Sequence, residues 1–361
     1  MTGVLRADLD VGLLTNVRMG VEIATGLAFL TGRRLALPFD QPVPPAPRSS
    51  IAPADQGRPA RVLDLFELPI DVVQPDEWDE LGDVLTEVVE WGSAGETVCV
   101  CDDGATDDDP QLLDFANGRT RLLRPPKSDA DVVDLQGRLL SFPSYFFHAR
   151  PVTHRRLHAL LRGVRPRRPF VALGAQIAAD LGAYNAMHLR RSDLTIGIPA
   201  YGDVTPTDVA DNVAAVFPTD EPLVVCSEVD GRDELFDPIR RRFPTVLFAN
   251  DVILGDHRAG FFDLPRHEDN ALGLVTQEVA SRAARFVGTI GSTFTGMIQR
   301  NRLGRNPNER FRFTADFTPD GPTFRDLEFV DITDGSYSWN RIGYAMSPDV
   351  LAWFREWPEA A

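Results

Sequence analysis

Apolar positions set the first frame. From Asp8 to Pro38 the chain reads DLDVGLLTNVRMGVEIATGLAFLTGRRLALP, and Met19, Ile23, Ala24, Leu27 and Leu30 fall on one side of a helix. Gly32 is placed to end that helix, because glycine accepts the left-handed conformation that helix termini favour. Arg33–Pro38 then reads as a short buried strand. A strand, a loop at Gly12–Asn16, a helix and a second strand, in that order, open a parallel α/β sheet. Val62–Phe66 is the next element; a helix is predicted over Val84–Trp91 and a strand over Thr97–Cys101.

The pattern restarts further along. Thr153–Leu161 reads as a helix, and Arg165–Pro169, with two prolines bracketing charge, as an inter-domain linker. Helices are predicted at Phe170–Leu181, Val209–Phe217, Asp233–Phe243, Asn270–Ala284 and Thr293–Arg302. Between them, strands are predicted at Tyr184–Leu189, Leu223–Cys226, Val246–Ala249 and Phe286–Gly288. This alternation predicts a second doubly wound α/β unit. Asp251–Arg266 lacks a period and carries Gly255, Gly260 and Pro265, so a long loop is expected. Ser347, Pro348 and Asp349 open a last helix whose Val350, Leu351, Trp353, Phe354 and Trp357 need an apolar partner.

Length and charge narrow the class. With 361 residues, 43% apolar and 25% charged, the chain fits a globular protein of two domains. A net charge of −16 argues against nucleic acid or an anionic membrane as a partner. Cys99, Cys101 and Cys226 leave one unpaired at best, and the first two alternate along one strand, which disfavours a disulfide framework or a zinc site. No charged-then-apolar leader and no span of about 20 apolar residues is present, so a cytoplasmic setting is expected. Asp102, Asp103, Asp107, Asp108 and Asp109 lie among glycine and alanine before Pro110 and read as a solvated loop rather than a metal site.

Two stretches carry chemistry. In YNAMHLRRSD, Tyr184 to Asp193, an apolar run ends in His188, Arg190, Arg191 and Asp193. Side chains at the carboxyl end of a strand in an open α/β sheet face the ligand crevice, and arginine donates paired hydrogen bonds to phosphate at any working pH. The alternative is a surface Arg-Arg-x-Asp ion pair. In FVGTIGSTF, Phe286 to Phe294, a buried strand reaches Gly288 and Gly291, and Ser292 and Thr293 supply hydroxyls where a helix starts. Helix N-terminal amides and those hydroxyls form an anion site, although Ser292 taken alone is a helix cap. Both stretches on one sheet edge point to a pyrophosphate-bearing ligand held by arginine and backbone rather than by metal.

The order of motifs resembles the GDP-fucose-dependent fucosyltransferases, above all the protein O-fucosyltransferase branch. Gly12–Asn16 followed by AFLTGRRLALP looks like the family's opening glycine loop with its asparagine, and His188-Leu189-Arg190-Arg191 like its His-x-Arg motif. VVCSEVDGRDE resembles the strand that usually ends in Thr-Asp-Glu, and FVGTIGSTFTGMIQRNR the final motif. The resemblance implies a glycosyltransferase-B architecture of two Rossmann-like domains facing a cleft. It sets an acceptor-side domain at 1–165, a nucleotide-sugar domain at 166–345 and a helix at 346–361 that packs back on the first domain. It also implies a metal-independent, inverting transfer of fucose from GDP-fucose to a hydroxyl of a small natural product, glycan or peptide, in a cytosolic bacterial setting.

By motif, Arg190 would grip the β-phosphate, His188 would lie beside the guanine, and Asn16 would approach the reacting centre; Asp193 is a further catalytic candidate. Arg191, Ser227, Glu228, Gly291, Ser292, Thr293 and Phe294 would complete the donor site. At the place of the family's guanine-reading acid stands Thr276, with Glu278 two residues on, and Leu13 and Leu14 occupy the place of a glutamate base. Asp10, Asp193 and Glu228 are the acids that could substitute as base. The excursion at 40–60 and the stretch 251–266, with Phe261 and Phe262, are the expected acceptor contacts. Two other functions fit: the same fold with a different nucleotide-sugar, and a non-catalytic nucleotide-sugar-binding protein.

Overall fold

The computed structural model describes residues 3–7, 9, 13–37, 42–44, 49–74, 77, 85–90, 97–101, 120–123, 125–136, 145–148, 151–190, 205–289, 292–303, 305, 311–314 and 324–327. The helix expected over 346–361 and the acidic stretch 102–109 lie outside them. Contacts divide the described chain into two units, one of 1–44 and 60–166, the other of 45–59 and 167–327.

In the first unit, strand β1 (Val4–Ala7) leads into helix α1 (Leu14–Thr31) and strand β2 (Arg34–Ala36). Helix α1 ends as its sequence requires, at Gly32, whose φ of 66° is left-handed. Apolar residues lie around most of its circumference, so it is buried from Leu14 to Ala28. That burial takes in a polar pair, Arg18 and Glu22, 3.4 Å apart, with Arg18 also donating to the carbonyl of Val164 at 3.1 Å. The sheet runs β2-β1-β7-β4 with every neighbour parallel, where β4 is Thr86–Glu90 and β7 is Val132–Gln136. Three further parallel strands, β5 (Thr97–Cys101), β6 (Thr120–Leu123) and β8 (Tyr145–His148), form a separate sheet in the order β6-β5-β8.

Two expectations fail here. The helix expected at Val84–Trp91 is strand β4; its core holds the β-branched Thr86, Val88 and Val89, and pairing with β7 outweighs the helical reading of the flanks. Val62–Phe66 splits into a single helical turn, α2 (Val62–Leu65), and a two-residue strand β3 (Phe66–Glu67). That strand pairs antiparallel with β9 (Arg165–Pro166), so part of the expected linker is tied into the first unit. Helix α3 (Pro151–Leu161) precedes it.

In the second unit, helix α4 (Arg168–Leu181) leads to strand β10 (Asn185–Leu189), helix α5 (Pro206–Val216) and strand β11 (Leu223–Ser227). Helix α6 (Asp237–Arg242) and strand β12 (Val246–Phe248) follow. The expected loop at 251–266 instead holds two short helices, α7 (Ala249–Leu254) and α8 (Arg258–Phe262). Neither is long enough to display a period, and Gly255 separates them. Helix α9 (Asp269–Arg282), strand β13 (Arg285–Gly288) and helix α10 (Thr293–Leu303) complete the unit, followed by an antiparallel pair, β14 (Phe311–Thr314) and β15 (Phe324–Leu327).

The sheet order is β12-β11-β10-β13, all parallel. Numbered within the unit this is 3-2-1-4, the first part of the Rossmann order, whose direction reverses between the first and fourth strands. Met187, Leu189, Val225 and Val287 on one face of that sheet pack with Val209, Val213, Phe236, Ile239 and Phe243. On the other face α9 lies against α4. Glu278 of α9 is ion-paired with Arg282 at 2.7 Å and Arg305 at 2.6 Å, and Arg302 donates to the carbonyl of Ala283 at 2.5 Å. These arginines satisfy carbonyls and charge at the end of α9.

The α4–α9 crossing depends on Gly174. A Cβ there would lie 2.6 Å from Cβ and Cγ of Glu278 and 3.1 Å from the carbonyl of Val275. Gly174→Ala gains about 1 kcal/mol of helix propensity but forces an overpacked helix pair apart, which costs about 1–3 kcal/mol. A lower melting temperature of the full chain is expected; a variant as stable as the parent or more so would show that the helices do not cross this closely.

Candidate functional site

The site grows from the two-residue period of β10. Met187 and Leu189 face the α5–α6 side, so His188 faces the opposite one. Its neighbour across the parallel ladder to β13 is Gly288. A side chain at 288 would collide with Thr295 of α10, whose Cγ2 and Oγ1 would be 2.5 and 2.6 Å from a Cβ. With glycine there, Thr295 reaches across, and its Oγ1 lies 2.7 Å from Nδ1 of His188. The imidazole also meets the ring of Phe294, centroid to centroid 4.8 Å. Burial above all, with the positive charge of Arg190 acting in the same direction, pushes the His188 pKa down to about 3. The ring is therefore neutral at any ordinary pH.

Past the ends of the strands, Thr289 holds the chain together. Its N–H and hydroxyl donate to the carbonyl of His188 at 3.0 and 3.1 Å, and its Oγ1 accepts the N–H of Arg190 at 3.0 Å. The N–H of Ser292 donates to the carbonyl of Thr289 at 3.4 Å. The backbones of Arg190 and Ser292 thus hang on one residue. From the other side, the hydroxyl of Ser227 donates to the carbonyl of Leu189 at 2.8 Å and accepts the N–H of Val229 at 3.1 Å. Glu228 follows it, half-buried.

Ser292 departs from a cap. A serine preceding a helix ordinarily accepts a backbone amide from the first turn. Here Ser292 is fully buried and its Oγ has no hydrogen-bond partner. A desolvated, unused hydroxyl stands at the start of an eleven-residue helix, where free amides and the helix dipole favour an anion. Thr293 and Phe294, next in line, are half-buried.

The structure therefore brings His188, Arg190, Ser227, Glu228, Ser292, Thr293 and Phe294 to the carboxyl ends of three adjacent strands. Arg191, Asp193 and Gly291 lie outside the described residues, as does Asp10. Asn16 belongs to the first unit, in the first turn of α1, with its Oδ1 buried and without a partner. Gly288, Thr289 and Thr295 were not singled out as a set by sequence, though all fall within or beside the FVGTIGSTF stretch.

Of the two residues weighed for the guanine-reading position, Glu278 is engaged by Arg282 and Arg305, and Thr276 is buried with an unpartnered hydroxyl. Cys226, free and buried, has a thiol pushed up to about 12 by desolvation, which leaves it inert as a nucleophile. The expected acceptor segments meet one another inside the second unit: Ser49 donates to Asp269 at 2.8 Å, Asn250 to Ser50 at 2.8 Å, and Arg258 to Asp55 at 2.9 Å. Phe261 is fully buried there, and the Arg258 guanidinium lies 4.6 Å from the Phe262 ring centroid. Phe261 is thus a core residue and not an acceptor contact. Among the described residues no group of three or more His, Cys, Asp or Glu is placed to hold a metal ion, and no helix is long and apolar enough to cross a membrane.

Solved fucosyltransferases are similar to this chain along most of its length. The fucosyltransferase NodZ from Bradyrhizobium shares 14% identity at a TM-score of 0.48, covering 90% of this chain and 99% of that one. NodZ alpha-1,6-fucosyltransferase co-crystallized with GDP gives 13% and 0.47 with the same coverage. POFUT1 in complex with GDP-fucose gives 11% and 0.44, covering 84% and 94%. No family model matches the sequence, and no curated protein does. At these identities and TM-scores the likeness assigns neither donor nor acceptor.

Two measurements check the site as described. Ser292→Ala removes an unsatisfied buried oxygen and should raise stability by about 1 kcal/mol; a clear loss on melting would mean the hydroxyl is satisfied after all. His188 should keep its imidazole resonances unchanged between pH 8 and pH 5. Its folded pKa lies below that of the unfolded chain, about 6.5, so the unfolded state binds the extra proton. This contribution to stability is complete above pH 6.5 and is lost as pH falls toward 3, by up to about 1.4 kcal/mol per pH unit. An imidazole titrating in the range 5–8 would contradict its burial.

Proposed function

We propose that the second unit binds the diphosphate of a nucleotide-sugar at the carboxyl ends of β10 and β13, and that the protein is a glycosyltransferase. The observation that carries this reading is the buried, unpartnered hydroxyl of Ser292 at the start of α10, coupled through Thr289 to Arg190. A parallel sheet binds its ligand where its strand order reverses, which here is the β10–β13 boundary.

Transfer would break the bond between the sugar's anomeric carbon and the phosphate oxygen, and the electron pair leaves with the nucleoside diphosphate. Charge grows on that oxygen while the sugar becomes oxocarbenium-like. The guanidinium of Arg190, whose backbone is held by Thr289, would stabilise the growing charge together with the amides of α10 and the Ser292 hydroxyl. The acceptor hydroxyl then attacks the opposite face, which inverts the anomeric centre. When the sugar–phosphate bond is largely broken before attack, no strong base is required. Asn16 is assigned by motif to the reacting centre, and Asp193 is a candidate base. This set of groups handles the phosphate charge by itself, so a metal-independent reaction is proposed.

GDP-fucose is the proposed donor, on the strength of the four sequence motifs. A different nucleotide remains a second reading for one reason: Glu278, the acid near the guanine-reading position, is committed to Arg282 and Arg305.

Titration calorimetry with GDP, UDP and dTDP separates the donors, with GDP expected to bind and the others not. Donor turnover should persist in EDTA and fall by about 10²–10³-fold in Arg190→Ala. Activity equal to the parent in that variant would sink the assignment of Arg190, and the lack of any turnover with intact GDP binding would leave a nucleotide-sugar-binding protein.

A further inference from the structure

The hydrogen bond between Thr295 and His188 has a direction that the surroundings decide. Thr295 is 1% exposed, and among the described residues its hydroxyl meets one partner, Nδ1 of His188. A buried hydroxyl carries a proton that needs an acceptor. Threonines in helices commonly donate to a carbonyl one turn earlier, but among the described residues Thr295 Oγ1 makes no such bond. Among the described residues the acceptor within reach is therefore Nδ1, and the proton on a neutral imidazole then sits on Nε2.

We propose that Thr295 is a positioning residue that holds His188 in its Nε2–H tautomer, making the imidazole a hydrogen-bond donor toward an oxygen acceptor of the bound nucleotide. The ring nitrogen that Thr295 uses is closed to ligand, and Nε2 makes no hydrogen bond to a described residue. The ring plane is fixed by the same bond together with Phe294 at 4.8 Å. Gly288 belongs to the device, since any side chain there would push Thr295 off the ring. A neutral donor is chemically distinct from the neighbouring guanidinium. It selects an oxygen by direction rather than by charge, so it contributes to the choice of base or ribose atom while Arg190 answers the phosphate.

This inference rests on the donor reading above, but the tautomer is measurable without any ligand. Long-range ¹H–¹⁵N spectra of the unliganded full chain should show His188 with Nε2 protonated and Nδ1 unprotonated. In Thr295→Val, a near-isosteric change, that pattern should shift toward a mixture of tautomers. GDP affinity should fall about five- to tenfold, the worth of one hydrogen bond. Thr295→Ser keeps the hydroxyl and should restore both. Protonation on Nδ1 in the parent, or a Val variant with the parental pattern and affinity, overturns the proposal. If the Val variant does not fold, the parental and Ser spectra still decide the protonated nitrogen. A chain that binds none of the nucleoside diphosphates, yet shows the Nε2–H pattern, would remove the donor reading and leave the assignment of Thr295 to the ring standing.

Discussion

The second unit depends on one missing side chain. Between β10 and β13 the parallel register sets His188 opposite Gly288, and the space over that glycine is filled from α10 by Thr295. Were any other residue at 288, the helix would have to retreat. It would then lose the bond to His188 and shift its own first turn, with Ser292, away from the end of β10. The close seating of α10 on the sheet is what turns a strand-to-helix connection into a site.

That seating governs how the polar groups here are arranged. Elsewhere the buried charged groups meet protein partners, while Asn16 Oδ1 and the hydroxyls of Thr25 and Thr276 are, like that of Ser292, buried without a partner among the described residues. Arg18 meets Glu22 and the carbonyl of Val164, Glu278 meets two arginines, and Asn185 donates to Glu221, which Arg285 also grips at 2.7 Å. At the β10–β13 boundary the backbone is equally well satisfied, through Thr289 and Ser227. The hydroxyl of Ser292 is not. An unmade bond at a buried oxygen is destabilising by about 1–3 kcal/mol, and at Ser292 it coincides with a helix start and the end of β10, the combination on which the proposed donor site rests.

Much of this was legible in the chain because the determining signals are local. Helix α1 is written in its apolar spacing and Gly32, and strands β10, β11 and β13 are short apolar runs bounded by polar or glycine residues. Ser292 could be picked out from its place before a helix. What could not be read was set by tertiary pairing. Strand β4 has a sequence compatible with helix until β7 lies beside it, and α7 and α8 are too short to show a period. Phe261 looked like an exposed aromatic on a loop, but the chain from 49 to 57 folds over the same region. Thr295 carries no sign of its role, because a threonine in the first turn of a helix ordinarily serves only that helix. Its meaning comes from the register across two strands.

Electrostatics then divide the labour at the sheet edge. A protonated, buried histidine beside Arg190 would add a second positive charge, and like charges close to a buried site repel. Burial and the guanidinium act in the same direction on His188 and keep it neutral. The positive field at the strand ends therefore comes from the described guanidinium and from the helix start rather than from the imidazole. In the proposed donor site, a neutral imidazole would therefore discriminate by hydrogen-bond direction rather than by charge.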